Sequence, residues 1–222
     1  MCGRFTLATP DPAQIRARFG VGESLEVRRR YNVAPGDDVL AVISRREGPR
    51  GALLRWGLIP HWASDPGGLG VKTINARAET VAERPAYRDA FARRRCLIVA
   101  DGFYEWAAGT PHRITRADGA PFAFAGLWAS WRPADDVEPL RSCAIVTTAA
   151  TERLRGLHDR MPVILAPSDE ADWIDPASPP GRLHDLLRGF EATAHRPVSR
   201  AVNDARHDAP DCLDPPEQAA LF

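Results

Sequence analysis

The sequence predicts an α+β fold: a single domain whose antiparallel sheets curl into an open, barrel-like core, with helices packed around it. Three observations carry this reading. Apolar runs of strand length recur along the chain without regular alternation with helices, which argues against βαβ units and a parallel sheet. Two Asp-Gly dipeptides, Asp101-Gly102 and Asp118-Gly119, stand between apolar runs as hairpin turns do. The 222 residues are 44% hydrophobic and 26% charged, enough to bury one core.

Taken in order, TPDPAQIRARFG starts with Thr9 and Pro10 and stops at Gly20, the pattern of a first helix. VLAVIS (39–44) and ALLRWG (52–57) read as strands. CLIVADGFYEW (96–106) has an apolar run, a turn dipeptide and an aromatic run, which predicts a β-hairpin. ITRADGAPFAFAGLW (114–128) predicts another. SCAIVTTAA (142–150) and MPVILAP (161–167) add two strands, with a helix between them around Glu152–Leu157. SDEADWI, after Pro167, begins a further helix with Ser168 as its cap. The Gly- and Pro-rich stretches 63–70 and 175–181 read as surface loops, because no change of composition accompanies them. There is no internal repeat. The domain spans 1–222, with the acidic, proline-bearing residues 207–222 expected as a loosely attached tail.

Composition narrows the function classes. Basic and acidic residues number 29 each, so no global charge recruits nucleic acid or a membrane. Only Lys72 among the 29 bases is lysine. That imbalance accompanies abundant Ala and Pro, and codon bias accounts for it. Guanidinium forks nevertheless suit phosphate oxygens. No apolar run reaches about 18 residues and no signal peptide is evident, so a cytoplasmic protein is expected. Cys2, Cys96, Cys143 and Cys212 form no CxxC pair. This argues against a metal site and against a disulfide framework.

Candidate chemistry begins at the terminus, MCGRFTLATP. An initiator methionine ahead of a small residue is commonly trimmed. Trimming would leave Cys2 with a thiol and a free α-amine on adjacent carbons. The amine, with a pKa of about 7.7–8.0, is partly neutral at pH 7 and condenses with aldehydes. The thiol can then close a five-membered thiazolidine ring, or act as a nucleophile with the amine as its base. An ordinary buried thiol is the plain alternative. Glu105, in DGFYEW, is a carboxylate among large aromatics, where desolvation would suit it to proton transfer. Strand alternation places it on the face of Phe103, opposite Tyr104 and Trp106, so a solvent-facing Glu105 fits equally well. His158, with Asp159 and Arg160, precedes an apolar strand and could serve as acid or base. Asn75 and Arg77 share one side of an extended segment. Trp62, beside a Gly/Pro-rich loop, could stack on a base, whereas Trp56 reads as core.

Each signal alone is weak, but together they are specific. MCGRF, YNVAPG (31–36), WGLIPHW (56–62), INARAET (74–80), DGFYEW (101–106), HDRMPV (158–163) and PVSRAVNDAR (197–206) occur in this order and at these spacings. On them the chain resembles the SOS response-associated peptidase (SRAP) family, the abasic-site processing proteins, from Met1 to about Asp214. The resemblance implies a single α+β domain with a β-rich core. It also implies an activity: Cys2, exposed by removal of Met1, forms a thiazolidine with the aldehyde of an abasic site in single-stranded DNA and shields the lesion. By the same resemblance Asn75 orients the sugar or imine, Glu105 shuttles protons, and His158 helps open the sugar ring and later assists reversal. Arg4, Arg77 and Arg160 match arginines that hold the flanking phosphates, and Trp62 falls in the segment that stacks at the edge of the DNA path. Many relatives carry two adjacent tryptophans where this chain has His61-Trp62.

The resemblance further implies crosslinking and lyase-type activity, with self-cleavage or an aminopeptidase removing Met1. No cofactor, metal, membrane or obligate protein partner is implied. A monomer is expected, nucleoid-associated when bound to DNA. The rival is an N-terminal-nucleophile cysteine amidohydrolase or peptidase, which would release ammonia from glutamine, or cleave peptides in trans through Cys2 and His158. A non-covalent single-strand-binding module is the second rival, and it would treat intact and abasic strands alike.

Overall fold

A computed structural model describes residues 2–8, 11–134 and 137–217. The first half contains β1 (Phe5–Leu7), α1 (Pro12–Phe19), β2 (Arg30–Val33), β3 (Asp38–Arg45), β4 (Gly48–Trp56), α2 (Pro66–Lys72), β5 (Asn75–Arg77) and α3 (Arg88–Arg93). The main strands follow: β6 (Arg95–Ala100), β7 (Gly102–Ala107), β8 (Thr110–Arg116), β9 (Phe122–Trp131) and β10 (Leu140–Ala149). The chain continues through α4 (Glu152–Arg155), β11 (Arg160–Pro162), β12 (Ile164–Leu165), α5 (Glu170–Ile174), α6 (Pro180–Asp185) and β13 (Thr193–Pro197). Two 3₁₀ turns follow, Arg200–Asn203 and Pro210–Leu213. Among the described residues no helix is long and apolar enough to cross a membrane.

Five strands close into a ring in the order β10-β4-β3-β6-β9, with β9 returning to β10 from Leu140↔Trp131 to Ile145↔Gly126. A second sheet, β13-β8-β7-β1-β2, lies against it. The curled α+β core is thus the one expected, with one difference. β4 and β5 run parallel to β10, whereas the other pairings are antiparallel. Alternation along β6 shows why the ring holds. Cys96, Ile98 and Ala100 join Phe5, Trp56, Phe103 and Phe124 in one buried cluster. Leu97 and Val99 face a second, with Leu127, Val146 and Trp173. Both faces of β6 are covered, so its apolar run is continuous.

Neither Asp-Gly dipeptide makes the expected hairpin. β6 and β7 belong to different sheets, as do β8 and β9, so each dipeptide marks a passage between sheets. Asp101 instead works through its side chain. It accepts from Thr6 Oγ1 (2.5 Å) and the Ala8 N–H (3.2 Å) and pairs with Arg113 Nη2 at 3.0 Å. A Cβ on Gly102 would lie 2.7 Å from Arg113 Nε, so glycine is needed there for close approach. The hairpin of the second sheet turns at Ala108-Gly109, with φ of +47° and +78°, joining β7 to β8.

Smaller expectations are also revised. α1 begins at Pro12 with Asp11 accepting the Ala13 N–H at 2.7 Å, and Thr9 and Pro10 lie outside the described residues. The stretch 63–70 is not all loop, because Asp65-Pro66 starts α2, with Asp65 accepting the Gly68 N–H. α6 likewise begins at Pro180, within 175–181. α5 is preceded by Asp169, not Ser168, and the Asp169 carboxylate is occupied by Arg182 and Arg188. The run MPVILAP divides into β11, paired with β10, and β12, paired with β9. Residues 207–214 are docked rather than loose. Asp208 accepts the Tyr31 and Asn32 N–H groups and pairs with Arg30, and Cys212 is fully buried. Within that tail, 218–222 lie outside the described residues.

The Asp101–Arg113–Thr6 group fastens β1 onto β7 and so sets where the chain's start lies. Asp101→Ala would remove the carboxylate paired with a buried guanidinium. We expect a loss of about 3–5 kcal/mol of stability, read as a lower urea midpoint. A midpoint unchanged from wild type would remove the pair from this role.

Candidate functional site

The register of β1 on β7 carries the first residues to the site. Phe5 pairs with Phe103, and the Tyr104 N–H donates to the Arg4 carbonyl at 3.0 Å, which brings Cys2 alongside the end of β7. β5 is laid on β10 with Asn75 opposite Ile145, and β11 with Arg160 opposite Ala149. Three separate pieces of chain therefore converge where β1, β5 and β11 begin.

Cys2 is fully buried, in one cluster with Phe103, Ile145 and Met161. Its backbone carbonyl accepts from Asn75 Nδ2 at 2.7 Å, and its thiol approaches the Arg4 carbonyl at 3.7 Å. Asn75 Oδ1 is buried and has no hydrogen-bond partner among the described residues, so an acceptor remains beside the Cys2 backbone. Burial, and then the charge of Glu105, push the Cys2 thiol far above its ordinary range. Glu105 is 5% exposed, so the solvent-facing alternative does not hold. Burial also raises its carboxyl, while the charge of His158 pulls the other way. Glu105 is thus within electrostatic reach of both Cys2 and His158, and Asn75 holds Cys2 in place.

His158 is half-buried and has two partners for one nitrogen. Nδ1 accepts the Arg160 N–H at 2.9 Å and lies 2.7 Å from Asp159 Oδ1. The first contact requires Nδ1 without a proton, the second with one. Which of the two it makes is set by the ring's tautomer.

The residues expected on the DNA path are arranged less simply. Arg77 is exposed on β5, two residues from Asn75. Arg160 is held by Glu79 and by the Thr147 carbonyl. Arg4 commits Nη1 to Asn32 Oδ1 (3.0 Å) and to the Val202 carbonyl (2.8 Å), and its burial lowers its pKa. Trp62 is 51% exposed and lines a small crevice with Pro85, Ala86, Ala129 and Ser130. Sequence reasoning missed Asn32, Glu79 and Tyr87. Asn32 Nδ2 bonds the carbonyls of Val202, Asp204 and His207, and Tyr87 Oη donates to the Asn75 carbonyl at 2.9 Å. Only Glu79 left a signal, as the third polar residue at alternate positions in INARAET.

Two other features lie away from this group. His207, Asp211 and Cys212 bring their donor atoms within 4.8 Å of one another, but His207 Nε2 and Asp211 Oδ1 already bond at 2.7 Å. A cavity of about 740 Å³ lined by Thr151, Glu152, Asp169 and Arg188 touches none of the four converging residues. All four cysteines are free and buried.

Comparison with known proteins places the chain in a family. The profile of the family described as "SOS response associated peptidase (SRAP)" matches residues 1–205. The chain is 42% identical to abasic site processing protein YoaM of Bacillus subtilis (strain 168), covering 96% of this chain and 98% of that one. It is 39% identical to abasic site processing protein YoqW of the same organism, covering 96% and 99%. A crystal structure of a Bacteroides thetaiotaomicron protein superposes with a TM-score of 0.88 at 22% identity, covering 96% and 99% of the two chains, and so shares the fold. Profile, relatives and fold agree, and the chain belongs to the SOS response associated peptidase (SRAP) family.

Proposed function

We propose that this protein processes abasic sites in single-stranded DNA by crosslinking itself to them through Cys2 once Met1 is removed. The observation that carries the reading is the convergence of Cys2, Asn75, Glu105 and His158 from four distant parts of the sequence. The names of the relatives above support the lesion, and the Cys2 aminothiol supports the chemistry.

The steps balance without any cofactor. The freed α-amine adds to the aldehyde carbon of the ring-opened deoxyribose, and loss of one water gives an imine. The thiol then adds to the imine carbon while its proton passes to nitrogen, closing the thiazolidine. Asn75 holds the Cys2 carbonyl, and its second amide atom orients the sugar or imine. Glu105, whose carboxyl burial raises, gives and takes the protons of imine formation. His158 helps open the sugar ring and later assists reversal. A deeply buried, protonated thiol is a poor nucleophile, so Cys2 stays inert until the amine is free and a base is at hand. Removal of Met1 is the only proteolysis this scheme requires. Met1 itself lies outside the described residues.

The test is a denaturing gel after incubation with oligonucleotides that differ only in one abasic site. A heat-stable slowed band is expected with the abasic strand alone. Adducts on neither strand from Met1-trimmed protein would overturn the proposal. Arg77→Ala should weaken binding to intact strands about equally for different sequences, because phosphate contacts carry no base information. The slope of log affinity against log salt should fall by about 0.7. An altered base preference in anisotropy titrations would contradict that role.

A further inference from the structure

Arg160 is held at the rim of the site by an acid. Glu79 Oε1 takes Nη1 at 2.5 Å and Oε2 takes Nη2 at 2.9 Å, a two-point grip. Nη2 also donates to the Thr147 carbonyl at 2.7 Å. The Arg160 side chain is 14% exposed, while that of Glu79 is 51% exposed. Arg77 lies close enough to add to Arg160's hold on the Glu79 charge. The cluster is two arginines and one carboxylate, a net charge of one.

We infer that Glu79 is a displaceable stand-in for a DNA phosphate, a carboxylate gate that keeps Arg160 occupied until a strand arrives. This rests on the reading that Arg160 holds a strand phosphate. A carboxylate and a phosphate present similar oxygen pairs to the same edge of a guanidinium, and one edge cannot serve both. The buried partner stays and the exposed one moves. Arg160 is fixed by its burial and by Thr147, whereas the Glu79 side chain is half exposed and can swing into solvent. A phosphate docking beside an undisplaced Glu79 would also meet like charge. Intact strands are therefore held weakly and released. An abasic strand is retained by the covalent bond rather than by affinity. Glu79 thus sets specificity by weakening the competitor, a repulsive element beside the attractive one.

The experiment is anisotropy with an intact, fluorescently labelled single-stranded oligonucleotide across a salt series, comparing wild type, Glu79→Gln and Glu79→Asp. Gln keeps an acceptor for Arg160 but removes the charge. We expect Glu79→Gln to bind about five- to tenfold tighter at low salt. Its salt slope should steepen by about 0.7, one more single-strand phosphate neutralised. Glu79→Asp, which keeps the charge, should follow the wild-type slope. Weaker binding by Glu79→Gln would mean that the carboxylate positions Arg160 for DNA, and would overturn the inference. So would an unchanged affinity and slope, or no binding by any of the three proteins. Because the strand has no abasic site, this result reads independently of crosslinking. Failure of wild type to form an abasic adduct would sink the proposed function and leave the anisotropy outcome standing.

Discussion

Cys2→Ser is expected to lose the heat-stable adduct, by roughly a thousandfold or more, as when other covalent nucleophiles are removed. The trimmed serine variant keeps an α-amine and can still reach the imine. It lacks the sulfur that closes the ring into a stable product, so a reversible imine is all that should form. Borohydride should trap that imine, whereas wild type needs no reductant. Binding to intact strands should be unchanged, because Cys2 is buried among Phe103, Ile145 and Met161 and is not itself a phosphate contact. Heat-stable adducts from Cys2→Ser in full yield would contradict the thiazolidine.

Glu105→Gln is expected to slow adduct formation by about 10²–10⁴-fold while strand binding persists, the range for loss of a positioned acid or base. The same change should alter stability with a defined sign. Burial raises the Glu105 carboxyl, so the folded state prefers it neutral. A carboxyl raised on folding contributes stability that is present below its unfolded pKa of about 4.3 and is lost as pH rises through its higher folded value. Glutamine has no charged form to bury. The variant's urea midpoint should therefore exceed that of wild type at neutral and alkaline pH, with the difference shrinking towards pH ~4. An unchanged rate would remove Glu105 from the mechanism, and a wild type that gains on the variant as pH rises would contradict the cost of its burial.

Much of the strand content was readable because apolar runs must be covered wherever they lie. VLAVIS and SCAIVTTAA are β3 and β10 with little change of bounds. The two Asp-Gly dipeptides were misread for a physical reason. A turn signal reports a local change of direction and says nothing about which strand the chain meets afterwards. Asp101 finds Thr6 and Arg113, 95 and 12 residues away, and the chain leaves one sheet for another. Ser168 and Asp169 both had cap chemistry, and the competition of Arg182 and Arg188 for Asp169 was invisible.

The site divides in the same way. The motifs carrying Cys2, Asn75, Glu105 and His158 were legible in the sequence as a set by their order and spacing. No local rule places them together, since the register of β1 on β7 and of β5 on β10 does that. The arginines were legible as phosphate-seeking groups but not as partners already engaged. Arg4 with Asn32, and Arg160 with Glu79, are tertiary contacts spanning 28 and 81 positions. The burial of Cys2 was equally hidden, because a thiol at a chain start gives no sign of what folds over it.

The central claim is tested most directly by the intact mass of the purified protein, before and after incubation with a single-stranded oligonucleotide bearing one abasic site. A species lacking the Met1 residue mass is expected, which then gains the mass of the oligonucleotide less one water. A protein correctly trimmed to Cys2 that gains no mass would contradict it, and glutamine hydrolysis by that same protein would establish the amidohydrolase alternative instead.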